Sequence, residues 1–285
     1  MERYIRLIPR LDIKGPNLVK GIRLEGLRVL GDPDIFAQHY YQNGADELCY
    51  MDIVASLFER NSLNDMISRV ARNVFIPITV GGGLRNLDNI KSALDSGADK
   101  VSLNTAVIRN PKLITEAAHK FGSSTVVVAI EAIRQPNGQY LCFVDNGREY
   151  TGVEVVHWAK QVVELGAGEI IITSVDREGT GEGFDIPLIR SVANSVNVPV
   201  VAHGGAGSTE DIVNLVQSTK VNGIAVASVF HYHTIQNIET VQQSTKTEGN
   251  FSFLNLGQGI KRIKPVSIND VVSELLKINV VCRGA

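Results

Sequence analysis

Short, nearly continuous apolar runs alternate along this chain with longer stretches in which apolar positions recur at helical spacing. The runs fall at 4–11, 47–53, 78–80, 100–103, 125–130, 169–173, 200–202 and 223–227. An unbroken apolar run, as opposed to strict alternation, is the pattern of a strand covered on both faces in a parallel sheet. Between the runs, 34–43, 63–73, 87–96, 111–121, 152–165, 186–195 and 209–218 have helical length, and several open on Asp, Asn, Ser or Thr at a cap position. A last helix, INDVVSELLK, is expected to start after Ser267 as its cap. Eight strands alternating with eight helical units predict an α/β fold, a closed (β/α)8 barrel.

The chain also repeats itself. FIPITVGGG returns as NVPVVAHGGAG, with Pro77 and Pro199 122 residues apart, and GADELCYMDI returns as GAGEIIITSVD with Glu47 and Glu169 at the same offset. Each four-strand half would leave a sheet edge unpaired until the other closes it. The expectation is therefore one barrel over 1–285, made of two similar halves, with 236–264 as an insertion in the last helical unit that the barrel could lose.

Composition changes the picture mainly by exclusion. The 285 residues carry 28 Lys+Arg against 30 Asp+Glu, a net charge of −2, and 44% are hydrophobic. A disordered chain would be more polar, and a nucleic-acid binder would carry a basic excess, so no nucleic-acid partner is expected. No uncharged apolar run is long enough for a membrane span, and the charged start MERYIRLIPRLDIK lacks the apolar centre of a signal peptide. Cys49, Cys142 and Cys282 form no CxxC pair, which fits a reduced, cytoplasmic setting. No metal or cofactor is expected, because no pair of histidines has ligand spacing on a helix face.

In such barrels chemistry belongs to the carboxyl ends of the strands. Gly81, Gly82 and Gly83 follow one strand, and Gly204, Gly205 and Gly207 follow its repeat partner, where backbone amides can approach an anion. Asn104 and Thr105 end the strand beside the first turn, and Ala227 and Ser228 the strand beside the second. The pattern predicts two phosphate cradles on opposite sides of one mouth, although tight strand-to-helix turns alone could require the same glycines. Asp12 and Glu131 end strands one and five, diametrically opposed, as a candidate acid and base pair. Arg6, Glu47, Lys100 and Glu169 stand at the strand starts, predicting a charged ring at the bottom that either stabilises the barrel or gates it. His203 is a candidate ligand contact, His231 and His233 read as structural or solvent-facing, and Trp158 reads as helix packing.

Together these strings resemble one family along nearly the whole chain, the cyclase subunit of imidazole glycerol phosphate synthase. The matching segments are IPRLDIKGPNLVKG, GDP at 31–33, GADELCYMDI, TVGGG, GADKVSLNTA, VVVAIEA, GAGEIIITSVDREGTGEGFD, HGGAG and ASVFH. The resemblance implies an enzyme that takes ammonia from a glutaminase subunit docked at the barrel bottom, with Arg6, Glu47, Lys100 and Glu169 as the gate. It implies a doubly phosphorylated ribulosyl aminoimidazole carboxamide nucleotide as substrate, cleaved and cyclised to imidazole glycerol phosphate. Asp12 and Glu131 would be catalytic. Lys20, in the loop after strand one, would close over the substrate, and Gly83, Asn104, Thr105, Thr173, Glu178, Gly179, His203, Gly205, Ala227 and Ser228 would bind it. The chain departs from the family where Glu131 and Glu178 replace Asp, Val54 replaces Thr, His203 replaces Ser and Arg10 replaces Cys. These changes lie between the cradles and leave two further readings open. One is a paralogue delivering ammonia for amidation of a surface sugar, and the other a non-catalytic activator of the glutaminase.

Overall fold

A computed structural model describes residues 3–55, 63–237 and 262–284. A two-residue strand, β1 (Arg3–Tyr4), precedes the first barrel strand, β2 (Arg6–Lys14). The chain continues through β3 (Asn17–Ile22), β4 (Glu25–Gly31), α1 (Pro33–Gln42), β5 (Leu48–Asp52), α2 (Asn64–Val70), β6 (Ile78–Gly81), α3 (Leu87–Asp95) and β7 (Lys100–Leu103). After α4 (Thr105–Arg109) and α5 (Lys112–Phe121), β8 (Val126–Arg134) opens the second half, followed by β9 (Tyr140–Val144), β10 (Glu149–Glu154) and α6 (Val155–Glu164). β11 (Glu169–Ser174), α7 (Ile186–Ala193), β12 (Val200–His203), α8 (Thr209–Ser218), β13 (Gly223–Val226), α9 (Ser228–Asn237), α10 (Ile268–Leu276) and β14 (Val280–Val281) complete it.

Eight parallel strands close on themselves in the order β8, β11, β12, β13, β2, β5, β6, β7, with β7 pairing β8. The barrel is the expected one, and every predicted strand is present within a few residues. What the apolar runs did not reveal is that β2 and β8 outlast the barrel. Each continues into an antiparallel hairpin, β2 with β3 and β8 with β9. Lys20 therefore lies in a strand, not in the loop anticipated for it. The β3–β4 turn uses Arg23 and Leu24 at φ 53° and 62°, left-handed positions that Gly or Asn usually fill, so it carries no turn signature. The β9–β10 turn does carry one, Asp145-Asn146-Gly147, all with positive φ.

Alternate residues of each barrel strand point inward. From bottom to top they form a charged layer, then an apolar plug of Ile8, Cys49, Val127, Ile171, Val201 and Ala225, then a polar layer at the mouth. The larger core lies outside the sheet, between strands and helices, and includes Trp158 of α6, as expected. Ser267 caps α10 in a reciprocal capping box with Asp270. Most of the anticipated insertion lies outside the described residues. At its far edge Ile263 is buried and the Lys264 N–H donates to the Gly207 carbonyl at 2.7 Å. All three cysteines are buried and unpaired, and no described helix is long and apolar enough to cross a membrane.

Two glycines in the candidate cradles answer to packing. A Cβ on Gly82, at φ 98°, would sit 2.2 Å from the Asp52 carbonyl oxygen, and one on Gly205, at φ 115°, 2.2 Å from that of Gly183. Gly205→Ala is expected to lower unfolding free energy by about 2 kcal/mol or more, through strain and overlap together. Gly138→Ala, at φ 88° with nothing within 4 Å of the new methyl, should cost about 1 kcal/mol. Urea titration of the two variants checks the difference.

Candidate active site

A cavity of about 260 Å³ opens at the carboxyl ends of β2, β5, β6, β7 and β8. Gly82, Gly83, Asn104 and Thr105 line it, so the first predicted cradle faces a real space, and Arg10, Ser102, Glu131 and Asn146 share that space. Ser102 Oγ and Asn104 Oδ1 are buried without a hydrogen-bond partner.

Glu131 stands where β8 passes from parallel pairing with β11 to antiparallel pairing with β9, opposite Thr173 on one side and Phe143 on the other. Its Oε2 accepts the Gly147 N–H at 2.8 Å. Removal from water pushes its pKa up to about 7, against the lowering influence of Arg10, the Gly147 amide and Asn104. A carboxyl poised there exchanges protons at neutral pH.

Asp12 occupies the equivalent junction on β2, opposite Met51 of β5 and Val19 of β3. Its carboxylate is held by Arg10, with Nε donating to Oδ1 at 2.8 Å, and both residues are buried. Burial disfavours the guanidinium charge, but Asp12, together with Cys49 and Glu178, outweighs it and raises the Arg10 pKa. Arg10 Nη1 lies 3.2 Å from His203 Nδ1, and Thr173 Oγ1 lies 3.1 Å from the same nitrogen. Burial, followed by the charges of Arg10 and Lys20, lowers the His203 pKa well below its usual value, so the ring is neutral. Arginine can only donate, which makes Nδ1 the acceptor and puts the ring hydrogen on Nε2. His231, fully buried, bonds the Arg10 carbonyl through Nε2 at 3.0 Å and Tyr40 through Nδ1 at 2.7 Å. Of the two readings the sequence left for it, structural or solvent-facing, the buried and fully bonded ring fits the first.

Across the mouth, Gly204, Gly205, Ala227 and Ser228 follow β12 and β13 as predicted. The loop after β11 packs on this side. Lys20 Nζ is ion-paired with Glu178 and donates to the Gly21 carbonyl at 3.0 Å. Burial opposes the Lys20 charge, while Glu178 and Asp12 more than compensate and raise its pKa. Glu178 also accepts the Leu24 N–H at 2.9 Å, and its carbonyl accepts the Arg23 N–H at 2.8 Å. A Cβ on Gly179 would sit 2.5 Å from the Gly21 carbonyl. The β3–β4 hairpin is thus latched to the β11 loop through Lys20, Glu178 and Gly179.

At the opposite end the four predicted charges meet. Arg6 Nη1 reaches Glu47 at 2.6 Å, and Arg6 Nη2 pairs with Glu169. Lys100 Nζ completes the ring to Glu47 at 3.1 Å and Glu169 at 2.9 Å. Burial alone would raise the Glu169 pKa, but Arg6 and Lys100 lower it.

Sequence reasoning noted Arg10 only as a departure and gave it no role. It also missed Ser102 and Asn146. The Asp-Asn-Gly turn was the available signal for Asn146. The sequence does not announce Arg10, whose partners beyond Asp12 lie on β12 and α9.

The family described as histidine biosynthesis protein matches residues 6–236. A Legionella pneumophila protein named imidazole glycerol phosphate synthase subunit HisF is 55% identical over 207 residues, covering 73% of this chain and 98% of that protein. Its namesake from Methanopyrus kandleri is 45% identical over 262 residues, covering 86% of this chain and 96% of its own. That from Streptococcus sanguinis is 43% identical over 235 residues, covering 82% and 93%.

The pKa of Glu131 carries a stability signature. Between its ordinary value near 4.5 and about 7, the folded state holds a proton that the unfolded state has released. The resulting stabilisation is complete below the lower value and is lost as pH rises through the upper one. Glu131→Gln abolishes this dependence. Its stability relative to wild type is expected to be greater at pH 8 than at pH 4.5, by up to about 3 kcal/mol of unfolding free energy, as urea titrations at the two pH values would read.

Proposed function

The chain belongs to the histidine biosynthesis protein family, and from that premise we propose that it is the cyclase subunit of imidazole glycerol phosphate synthase, the name its relatives bear. The observation that carries the reading is the pair of glycine turns, each beside a small polar strand end, on opposite sides of one mouth with Glu131 and Asp12 between them. The spacing suits a substrate with a phosphate at each end. Asn104 and Thr105 with Gly83 hold one phosphate. Ala227 and Ser228 with Gly205, and Lys20 after release from Glu178, hold the other.

Ammonia reaches this mouth from a glutaminase subunit seated on the bottom face. Two exposed aromatics support a docking surface there: Tyr4, just before β2, and Phe75, just before β6 and 74% exposed. The ring of Arg6, Glu47, Lys100 and Glu169 closes the entrance and has to part for ammonia to pass. Above it the apolar plug admits the neutral molecule and opposes ammonium. Condensation, carbon–nitrogen cleavage and ring closure each move protons on and off nitrogen or oxygen, and Glu131 is the group placed and tuned to do so. The protein then works in the cytoplasm, with its cysteines reduced.

One observation favours a second reading. Arg10 occupies the Asp12 carboxylate, which weakens an acid and base pair and suits a paralogue that hands ammonia to a different chemistry, such as amidation of a sugar.

Purified protein with an ammonium salt and the ribulosyl nucleotide should yield imidazole glycerol phosphate, detected chromatographically. No product at saturating ammonia would overturn the cyclase assignment. Glu131→Gln should lower turnover by about 100-fold or more, on the scale of removing a general acid and base. With the glutaminase present, Lys100→Met is expected to reduce glutamine-dependent turnover while leaving ammonium-dependent turnover near the wild-type rate.

A further inference from the structure

The β9–β10 turn reaches into the cavity with more of its groups than a connection between two strands requires. Asp145, Asn146 and Gly147 take positive φ in succession, 52°, 60° and 75°, and the Arg148 N–H closes the backbone behind them on the Val144 carbonyl at 3.1 Å. Two amides within the turn donate to side chains of the cavity wall: Asp145 N–H to Thr105 Oγ1 at 3.3 Å, and Gly147 N–H to Glu131 Oε2 at 2.8 Å. The Asp145 carboxylate accepts from the Thr105 hydroxyl through Oδ1 at 3.4 Å and from Arg109 Nη2 through Oδ2 at 3.2 Å. Asn146 Nδ2 donates to the Ile53 carbonyl, just past β5.

An internal anion thus stands where the substrate's phosphate has to bind. The Thr105 hydroxyl has one hydrogen to give, and Asp145 takes it. A phosphate seated on Gly83, Asn104 and Thr105 competes for that hydrogen and repels the carboxylate. Arg109 does not oppose the exchange, because Glu149 holds it at 2.7 Å when Asp145 leaves. Only Asn146 separates the residue bonded to Thr105 from the residue bonded to Glu131, so Asp145 cannot move away without disturbing Gly147.

We propose that Asp145 is a positioning residue: before substrate arrives it occupies the Thr105 hydroxyl in place of phosphate, and phosphate docking displaces it and draws the Gly147 amide off Glu131. Oε2 of Glu131 is then free to face the substrate, so the carboxyl that moves protons is released when the phosphate end is seated. The proposal rests on the reading of Gly83, Asn104 and Thr105 as a phosphate cradle, and its test does not pass through cyclase turnover.

The test is titration of nitrogen-15-labelled protein with inorganic phosphate at pH 7, followed by NMR. The amides of Gly83 and Thr105 report occupancy of this cradle, and solvent exchange of the Gly147 amide reports its bond to Glu131. In wild type, saturating phosphate should speed Gly147 exchange by about tenfold or more. Asp145→Asn, which keeps the shape and removes the competing charge, should tighten phosphate binding by about fivefold or more, within the ordinary range of coupling between two sites. Glu149→Gln removes the other acid on Arg109 without touching Thr105 and should change binding by less than about twofold. If the Gly83 and Thr105 amides respond but Gly147 exchange is unchanged in wild type, the proposal falls and the phosphate cradle stands, an outcome that requires no variant to fold. Unchanged or weaker binding in Asp145→Asn makes the residue a plain strut and overturns the proposal, as does equal tightening in Glu149→Gln. If phosphate moves neither amide in wild type or in Asp145→Asn, the cradle and the proposal fall together.

Discussion

A strand edge presents N–H and C=O groups that need partners, and each four-strand half of this chain has two such edges. Pairing β7 with β8 and β13 with β2 removes all four. Much else in the molecule follows from that closure. It creates an inside, which every second strand residue has to occupy, and it sets the fifth strand across from the first. Glu131 and Asp12 face one another because the ladder closes, with no direct contact required between them.

Once there is an inside, the charged residues sent into it have to find opposite charges. At the bottom, two cations and two anions alternate in a closed ring. At the top, Arg10 takes Asp12, and Lys20 takes Glu178. The net charge of −2 therefore conceals a sorted interior, with an apolar plug separating two charged levels. Glu131 is the exception. It lacks a direct ion pair among the described residues, and burial raises its pKa into the neutral range where proton transfer is useful.

The glycine turns illustrate how fold and function coincide. Gly82 and Gly205 are required by close backbone approach whether or not a ligand binds. The same absence of side chains leaves the amides open to an anion. The motif alone could not separate the two explanations. The cavity beside Gly82 and Gly83, with orphaned polar atoms in its wall, is what points to a ligand on that side.

The eight barrel strands, their helices, the twofold repeat and the four ring residues were legible in the sequence, because buried parallel strands read as unbroken apolar runs and repeats preserve spacing. The continuation of β2 and β8 into hairpins was not, although Gly15-Pro16 and Pro136-Asn137-Gly138 mark the turns, because the polar residues of β3 and β4 resemble a loop and the β3–β4 turn at Arg23 and Leu24 gives no turn signal. Nor could the sequence show what Asp12 and Lys20 are doing. A carboxylate on a strand end looks the same whether it faces solvent, substrate or a guanidinium two residues away. Periodicity fixes which face a side chain takes, but its partners come from strands distant in the chain, and only closure of the barrel brings Arg10, His203 and Glu131 to one mouth.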